Sequence, residues 1–262
     1  VRRLPAVALV ALLIGATSAR AQTVPAPVPN FNPAFLPRTD VSFLWGTFAT
    51  PDTRFAYDGR IVADMDVANY GAGRFNMLID YEAVISHERR YFDLNHGNYV
   101  LEGSGSFHIG AVEIAGVFHH ASRHLVDRQN SPAISWNVTS VRALRSFAFK
   151  GSTLDTAIDL GKVTQPAFVD YRWTSNVRLE FRHPVDPHAA LYGIVNGGLI
   201  GVNRAKLGRD RQCGARFEGG VRVMGKAASL EIFAAYERRI DAFPTDRFRV
   251  RFTEVGFRIT SR

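Results

Sequence analysis

The sequence predicts an all-β protein, a twelve-stranded antiparallel transmembrane β-barrel of up-and-down meander topology. Three observations predict it. Beyond residue 40, apolar and polar residues alternate with a period of two, and no segment keeps a 3.6-residue stripe for three turns. The alternating segments number about twelve, and many run 12 to 16 residues, against about 5–6 for an ordinary strand. The connections between them alternate between short and long, the asymmetry of outer-membrane barrels.

At the N-terminus, residues 1–21 read as a secretory signal peptide. Arg2 and Arg3 form a basic start, Leu4 to Ile14 an apolar stretch, and Ala19-Arg20-Ala21 a cleavage site. The competing reading is an uncleaved anchor, for which the apolar stretch is short. Residues 22–39 hold five prolines and almost no charge, which predicts an extended lead-in with few backbone donors. The barrel is expected over 40–262. Cys213 is the single cysteine, so no disulfide forms within the chain.

The formal charge of +8 comes from 32 basic and 24 acidic residues. Removing Arg2, Arg3 and Arg20 leaves 29 against 24, or +5. An exported chain rarely meets nucleic acid, so that partner is excluded. The expected partners are membrane lipids, lipopolysaccharide and the barrel-assembly machinery that inserts such strands into the outer membrane.

Strands are expected near 41–50, 54–68, 74–88, 98–109, 111–123, 133–149, 152–163, 167–183, 189–202, 212–224, 228–240 and 247–259. In the second, Phe55, Tyr57, Ile61, Met65 and Val67 alternate with Asp58, Arg60, Asp64 and Asp66. The third repeats this with Phe75, Met77, Ile79 and Tyr81 against Arg74, Asn76, Asp80 and Glu82. The eighth sets Val169, Tyr171, Trp173 and Val177 against Asp170, Arg172, Thr174 and Arg178. The last slips phase between Phe248, Val250, Phe252 and Val255, Phe257, Ile259; a bulge near Thr253 would account for that. Short turns such as Lys150-Gly151 follow even-numbered strands, and longer loops such as Asn203–Arg211 follow odd-numbered ones. The rival is a soluble β-sandwich, which alternation alone does not exclude. Strand length, even count and loop asymmetry favour the barrel.

With the apolar face in lipid, the polar face fills the lumen. Its acids and arginines, from Asp58 and Arg60 through Arg172 to Arg249 and Arg251, are expected to pair across a narrow interior. Twelve strands enclose far less than the sixteen or more of a porin. General conductance should therefore be poor, and a cross-lumen ion-pair network is expected instead.

Gly116 to Asn137 carries the chemistry that stands out: His119, His120 and His124 beside Ser122 and Asp127. His120 and Ser122 are two residues apart, so they share a strand face. They continue the parity of Val112, Ile114 and Phe118, the lipid-facing side, near the outer end of the fifth strand. A serine beside a histidine there has the elements of lipid-ester hydrolysis.

This stretch resembles outer-membrane phospholipase A, a family of twelve-stranded barrels with a catalytic H-x-S-N-G followed after a short loop by S-W-N. The matching positions are His120, Ser122 and Asn137, the last following Ser135-Trp136. The resemblance implies a Ser–His–Asn site with Ser122 as nucleophile, His120 as base and Asn137 as orienter, and calcium as an associated cofactor; the residues themselves imply no cofactor. Lipid A deacylase barrels use a similar H-x-S, so the substrate stays open. The H-x-S-x-H-L-x-D pattern is also similar to that of uncharacterised bacterial outer-membrane barrels. This chain departs from the phospholipase pattern in Arg123-His124 after the serine and in a longer loop to the asparagine. Asn137 also shares parity with Ser135 and Thr139, while Ile134, Trp136 and Val138 are expected to face lipid.

Three other readings stand beside this one. His120, His124, His119 and Asp127 could supply metal ligands if the loop folded back. The histidines could instead be ordinary rim residues. The basic loop Asn203–Arg211 could meet lipopolysaccharide phosphates, or simply be solvated. Two functions follow: a non-enzymatic barrel, structural or a narrow channel with a charged, largely plugged lumen, and a lipid-acting ester hydrolase.

Overall fold

A computed structural model of the chain describes residues 32–127, Pro132 and 134–261. The expected signal peptide at 1–21 and the first part of the proline-rich lead, 22–31, lie outside the described residues. Twelve strands follow one another: β1 (Ala34–Ala49), β2 (Tyr57–Asn69), β3 (Arg74–Ser86), β4 (Asp93–Ile109), β5 (Val112–Leu125) and β6 (Ile134–Phe149) make the first half. The second half is β7 (Ser152–Ala167), β8 (Tyr171–Asp186), β9 (Ala189–Val202), β10 (Gln212–Met224), β11 (Ala228–Arg239) and β12 (Val250–Ser261). Each pairs antiparallel with its neighbour in sequence, and β1 pairs with β12 to close the barrel. Closure leaves no sheet edge, the condition for strands to cross lipid.

The alternation works as expected over most of the wall. On β3, Phe75, Met77 and Ile79 are exposed on the outside while Arg74, Asn76, Asp80 and Glu82 are buried inside. Ile61, Leu101, Phe118, Val141, Leu160 and Ile232 continue the apolar exterior. One end of the barrel carries short turns, the other longer loops. At Lys150 and Gly151 both φ angles are positive, at 46° and 77°, the backbone of the tight hairpin whose twist matches the strands.

The strands depart from expectation in four places. First, β1 begins at Ala34, six residues inside the segment 22–39 assigned to the lead. A register shift between Phe35 and Arg38 absorbs Pro37, which has no N–H to give the ladder, and Arg38 then reaches Asp66 from the inner face. Second, β12 pairs with both neighbours in unbroken register, so there is no bulge at Thr253. The phase change arises because Phe252 points inward, packed on Phe48 and Phe55 with ring centroids 4.9 and 4.8 Å away. Third, Arg251 lies on the outer parity, and Arg172 is exposed at the register shift between Tyr171 and Trp173. Neither is a lumen residue. Fourth, Ile134, Trp136 and Val138 are buried in an interior cluster with Ala121, Val163, Tyr171 and Ile240. The apolar parity of β6 therefore faces inward at its loop end, and Asn137 faces outward.

The inward turn of Phe252 and that of the β6 residues share a cause. At the loop end the lumen is closed by packed apolar side chains rather than by charge. The segment between β11 and β12 turns into the barrel mouth, where Ile240, Asp241 and Ala242 are almost fully enclosed.

Candidate functional site

The interior below that cap is an ion-pair lattice. Arg74 bridges Asp66 at 2.9 Å and Glu113 at 2.8 Å. Arg142 joins Glu102 at 2.6 Å and Asp159 at 3.2 Å. Arg216 contacts Glu218, Glu237 and Glu254 at 2.8, 3.2 and 2.6 Å. Charges removed from water are tolerated only when paired and hydrogen-bonded, and each of these arginines finds its carboxylates on its own strand or within two strands of it. A cavity of about 210 Å³ remains, lined by seven arginines and seven carboxylates. The formal charges of its wall thus cancel in number.

Asp241 fastens the cap. Its carboxylate accepts the Tyr171 hydroxyl at 2.6 Å and Arg209 at 2.8 and 2.9 Å, while its backbone carbonyl accepts Arg123. Arg209, in the β9–β10 loop, also grips Asp170. Burial opposes its charge, but these hydrogen bonds and the two carboxylates outweigh that and push its pKa up. In the β1–β2 loop, the guanidinium of Arg54 hydrogen-bonds Asp52 and holds its carboxyl below the usual carboxylate range.

The outward face at the loop end carries a second arrangement. His120 on β5 sits directly opposite Asn137 on β6, which sits opposite Gln165 on β7. His120 Nδ1 lies 2.6 Å from Asn137 Oδ1, and Asn137 Nδ2 donates to Gln165 Oε1 at 2.6 Å. An acceptor on Nδ1 places the ring proton there and leaves Nε2 as the basic nitrogen. One pleat further on, Ser122 lies between Tyr99 of β4 and Ser135 of β6. Its Oγ is 2.6 Å from Nε2 of His124 rather than bonded to His120. The ring of His124 stands edge-on to Tyr99, centroids 5.7 Å apart. Ser122 keeps only 9% of its surface, enclosed by these neighbours.

The site residues read from the sequence thus meet in part. His120 and Asn137 are in contact, on the same outer face as Ser122. The Ser122–His120 contact is not made in this conformation; His124 takes its place. Sequence reasoning missed Gln165, which register places opposite Asn137, and the partnership of Ser122 with His124, which is a rotamer choice on one strand face. The metal reading does not hold as drawn. His119 points inward to Glu102, 3.2 Å away, on the opposite side of the wall from His120 and His124. Asp127 lies against Arg90 at 3.6 Å. No cluster of three or more histidine, cysteine or acidic side chains able to hold a metal occurs among the described residues.

No protein-family model and no curated protein matches the chain. Among solved structures, it is similar to outer membrane phospholipase A from Escherichia coli, with a TM-score of 0.52 and 9% identity, covering 88% of this chain and 94% of that one. Omp33 of Acinetobacter baumannii aligns over 89% of this chain and 99% of its own, with a TM-score of 0.41 and 11% identity. OmpT of Vibrio cholerae aligns over 85% and 97%, with a TM-score of 0.45 and 8% identity. At such identities the likeness shows the fold. It is that of a bacterial outer-membrane β-barrel, whose place is the cell outer membrane.

Proposed function

We propose that this bacterial outer-membrane β-barrel is a lipid-acting ester hydrolase of the phospholipase A or lipid A deacylase kind. Its site is Ser122, His120 and Asn137 on the outer-leaflet face, reached after export directed by residues 1–21. The observation that carries the reading is the 2.6 Å contact between His120 Nδ1 and Asn137 Oδ1 on the membrane-facing surface, one pleat from a serine. Polar groups are expensive on a lipid-facing wall, and those that occur there are by default functional.

The chemistry follows from the atoms. Asn137 holds the His120 tautomer with Nε2 free, and Gln165 holds Asn137. A change of rotamer at Ser122 turns Oγ from His124 toward His120, and a serine hydroxyl has three staggered positions to choose from. Nε2 takes the hydroxyl proton as Oγ attacks the ester carbonyl, then returns it to the departing alcohol. Water, deprotonated by the same nitrogen, releases the acyl group and restores the serine. The substrates are membrane lipids, and lipopolysaccharide is the neighbour for the basic rim at Asn203–Arg211.

The test is acyl release from phospholipid and from lipid A by purified protein in mixed micelles, beside Ser122→Ala. Release by the wild type and not by the variant supports the reading; equal release by both ends it.

A second reading, a non-enzymatic structural or narrow-channel barrel, is favoured by the ion-pair lattice filling the lumen. Planar-bilayer recording without conductance steps would remove its channel form.

A further inference from the structure

Resting on that hydrolase reading, we infer that His124 is a further catalytic residue: a hydrogen-bond donor for the oxyanion that forms when Ser122 attacks. The sequence reading gave it no such role.

Ester attack builds a full negative charge on the former carbonyl oxygen, and a donor aimed at that charge is usually a large part of the catalysis. Resemblance to phospholipase A implies calcium for the site. Calcium needs six to eight oxygen ligands, carboxylates prominent among them. The outward-facing groups around Ser122 are the imidazoles of His120 and His124, the Ser135 hydroxyl, the Tyr99 phenol and the Asn137 amide. Among the described residues none of these is a carboxylate, and this set does not fit calcium.

The remaining donors can be sorted by what already holds them. Arg123, next to the serine in sequence, is turned inward, bonding the Asp241 carbonyl and lying 5.3 Å over the Trp136 ring. The Tyr99 ring is packed against Tyr81, centroids 4.8 Å apart. Asn137 gives an amide proton to Gln165. His124 alone places a nitrogen on the nucleophile, at 2.6 Å from Oγ. Ser122 therefore has a histidine on each side along one strand face. His120 is fixed by Asn137 as the acceptor. With Nε2 protonated, His124 can donate to Oγ in the resting site and to the adjacent oxyanion once the bond forms. The two rings divide the work of base and electrophile, and no cation takes part.

The experiment measures long-chain p-nitrophenyl ester hydrolysis by the full-length barrel in detergent, with and without EDTA. The variants are Ser122→Ala, His124→Ala and His124→Gln, each checked for folding by heat-modifiable gel mobility. The expected result is wild-type turnover unaffected by EDTA, and a kcat about 10²–10³-fold lower in His124→Ala at similar KM. His124→Gln keeps an N–H donor and should recover at least about tenfold of that loss. Turnover in His124→Ala equal to wild type, or EDTA abolishing wild-type turnover with calcium restoring it, would overturn the inference while leaving the Ser122 reading intact. Wild-type turnover no greater than that of Ser122→Ala would overturn both.

Discussion

Glu102 of β4 grips Arg142 of β6 across the intervening strand, with both carboxylate oxygens engaged at 2.6 and 2.9 Å. His119 of β5 closes the group from between. This relationship ties three consecutive strands through the lumen, independently of their backbone ladders.

Its removal should be costly on one side only. Arg142→Met leaves Glu102 and Asp159 enclosed without their cation, and should destabilise the barrel by about 3–5 kcal/mol. The combined Glu102→Leu, Asp159→Leu and Arg142→Met change should recover most of that. Urea unfolding in detergent measures both. A single substitution as stable as wild type would show that water reaches the group.

The seam between β1 and β12 depends on a pair of glycines. Gly46 and Gly256 face each other in the register, and a Cβ on Gly256 would lie 2.4 Å from the Trp45 carbonyl oxygen and 2.8 Å from Gly46 Cα. Both contacts are backbone and cannot swing aside. Gly256→Ala should cost on the order of 1–3 kcal/mol, seen as a lower refolding yield into detergent. Gly103→Ala, where a Cβ meets nothing within 4 Å, is the control expected to refold normally.

Asp241 should control the cap without controlling conductance. Asp241→Ala removes the acceptor for Tyr171 and Arg209, so residues 240–249 should lose hydrogen-exchange protection. Bilayer recordings should stay silent, because the ion-pair lattice beneath is untouched. Large, stable conductance steps in this variant would mean that the cap alone seals the barrel.

The β1–β2 loop should loosen in acid. Arg54 depresses the Asp52 pKa from its ordinary 3.8. A depressed carboxylate contributes stability above its unfolded pKa and loses it as pH falls through the folded value. Proteolysis or hydrogen exchange at residues 50–56 should be unchanged from neutrality down to about pH 4 and should rise below it. Asp52→Asn should show the faster exchange already at pH 7. An increase that begins near pH 6 would point to a histidine instead.

Strand number, meander order and the charged lumen were legible in the sequence because polarity and wall geometry share a period of two. Legibility failed where the lumen itself turns apolar. Hydrophobicity alone puts Trp136 toward lipid and Phe252 out of phase, yet both pack inward beneath the cap. The same inversion hid Asn137, whose polar neighbours on β6 suggested the lumen. Ser122 and His120 were placed on their face correctly because the parity of β5 runs unbroken from Val112. The contact between Ser122 and His124 is a rotamer choice, which no sequence pattern encodes.

A fluorophosphonate probe tests whether Ser122 is a nucleophile activated by the His120–Asn137 pair. Purified barrel is labelled, digested and mapped by mass spectrometry, beside His120→Ala and Asn137→Ala. A phosphonyl adduct on Ser122 is expected, formed about 10²–10⁴-fold more slowly in His120→Ala and more slowly, to a lesser degree, in Asn137→Ala. Absence of the adduct on Ser122, or the same rate of labelling in all three proteins, would contradict it.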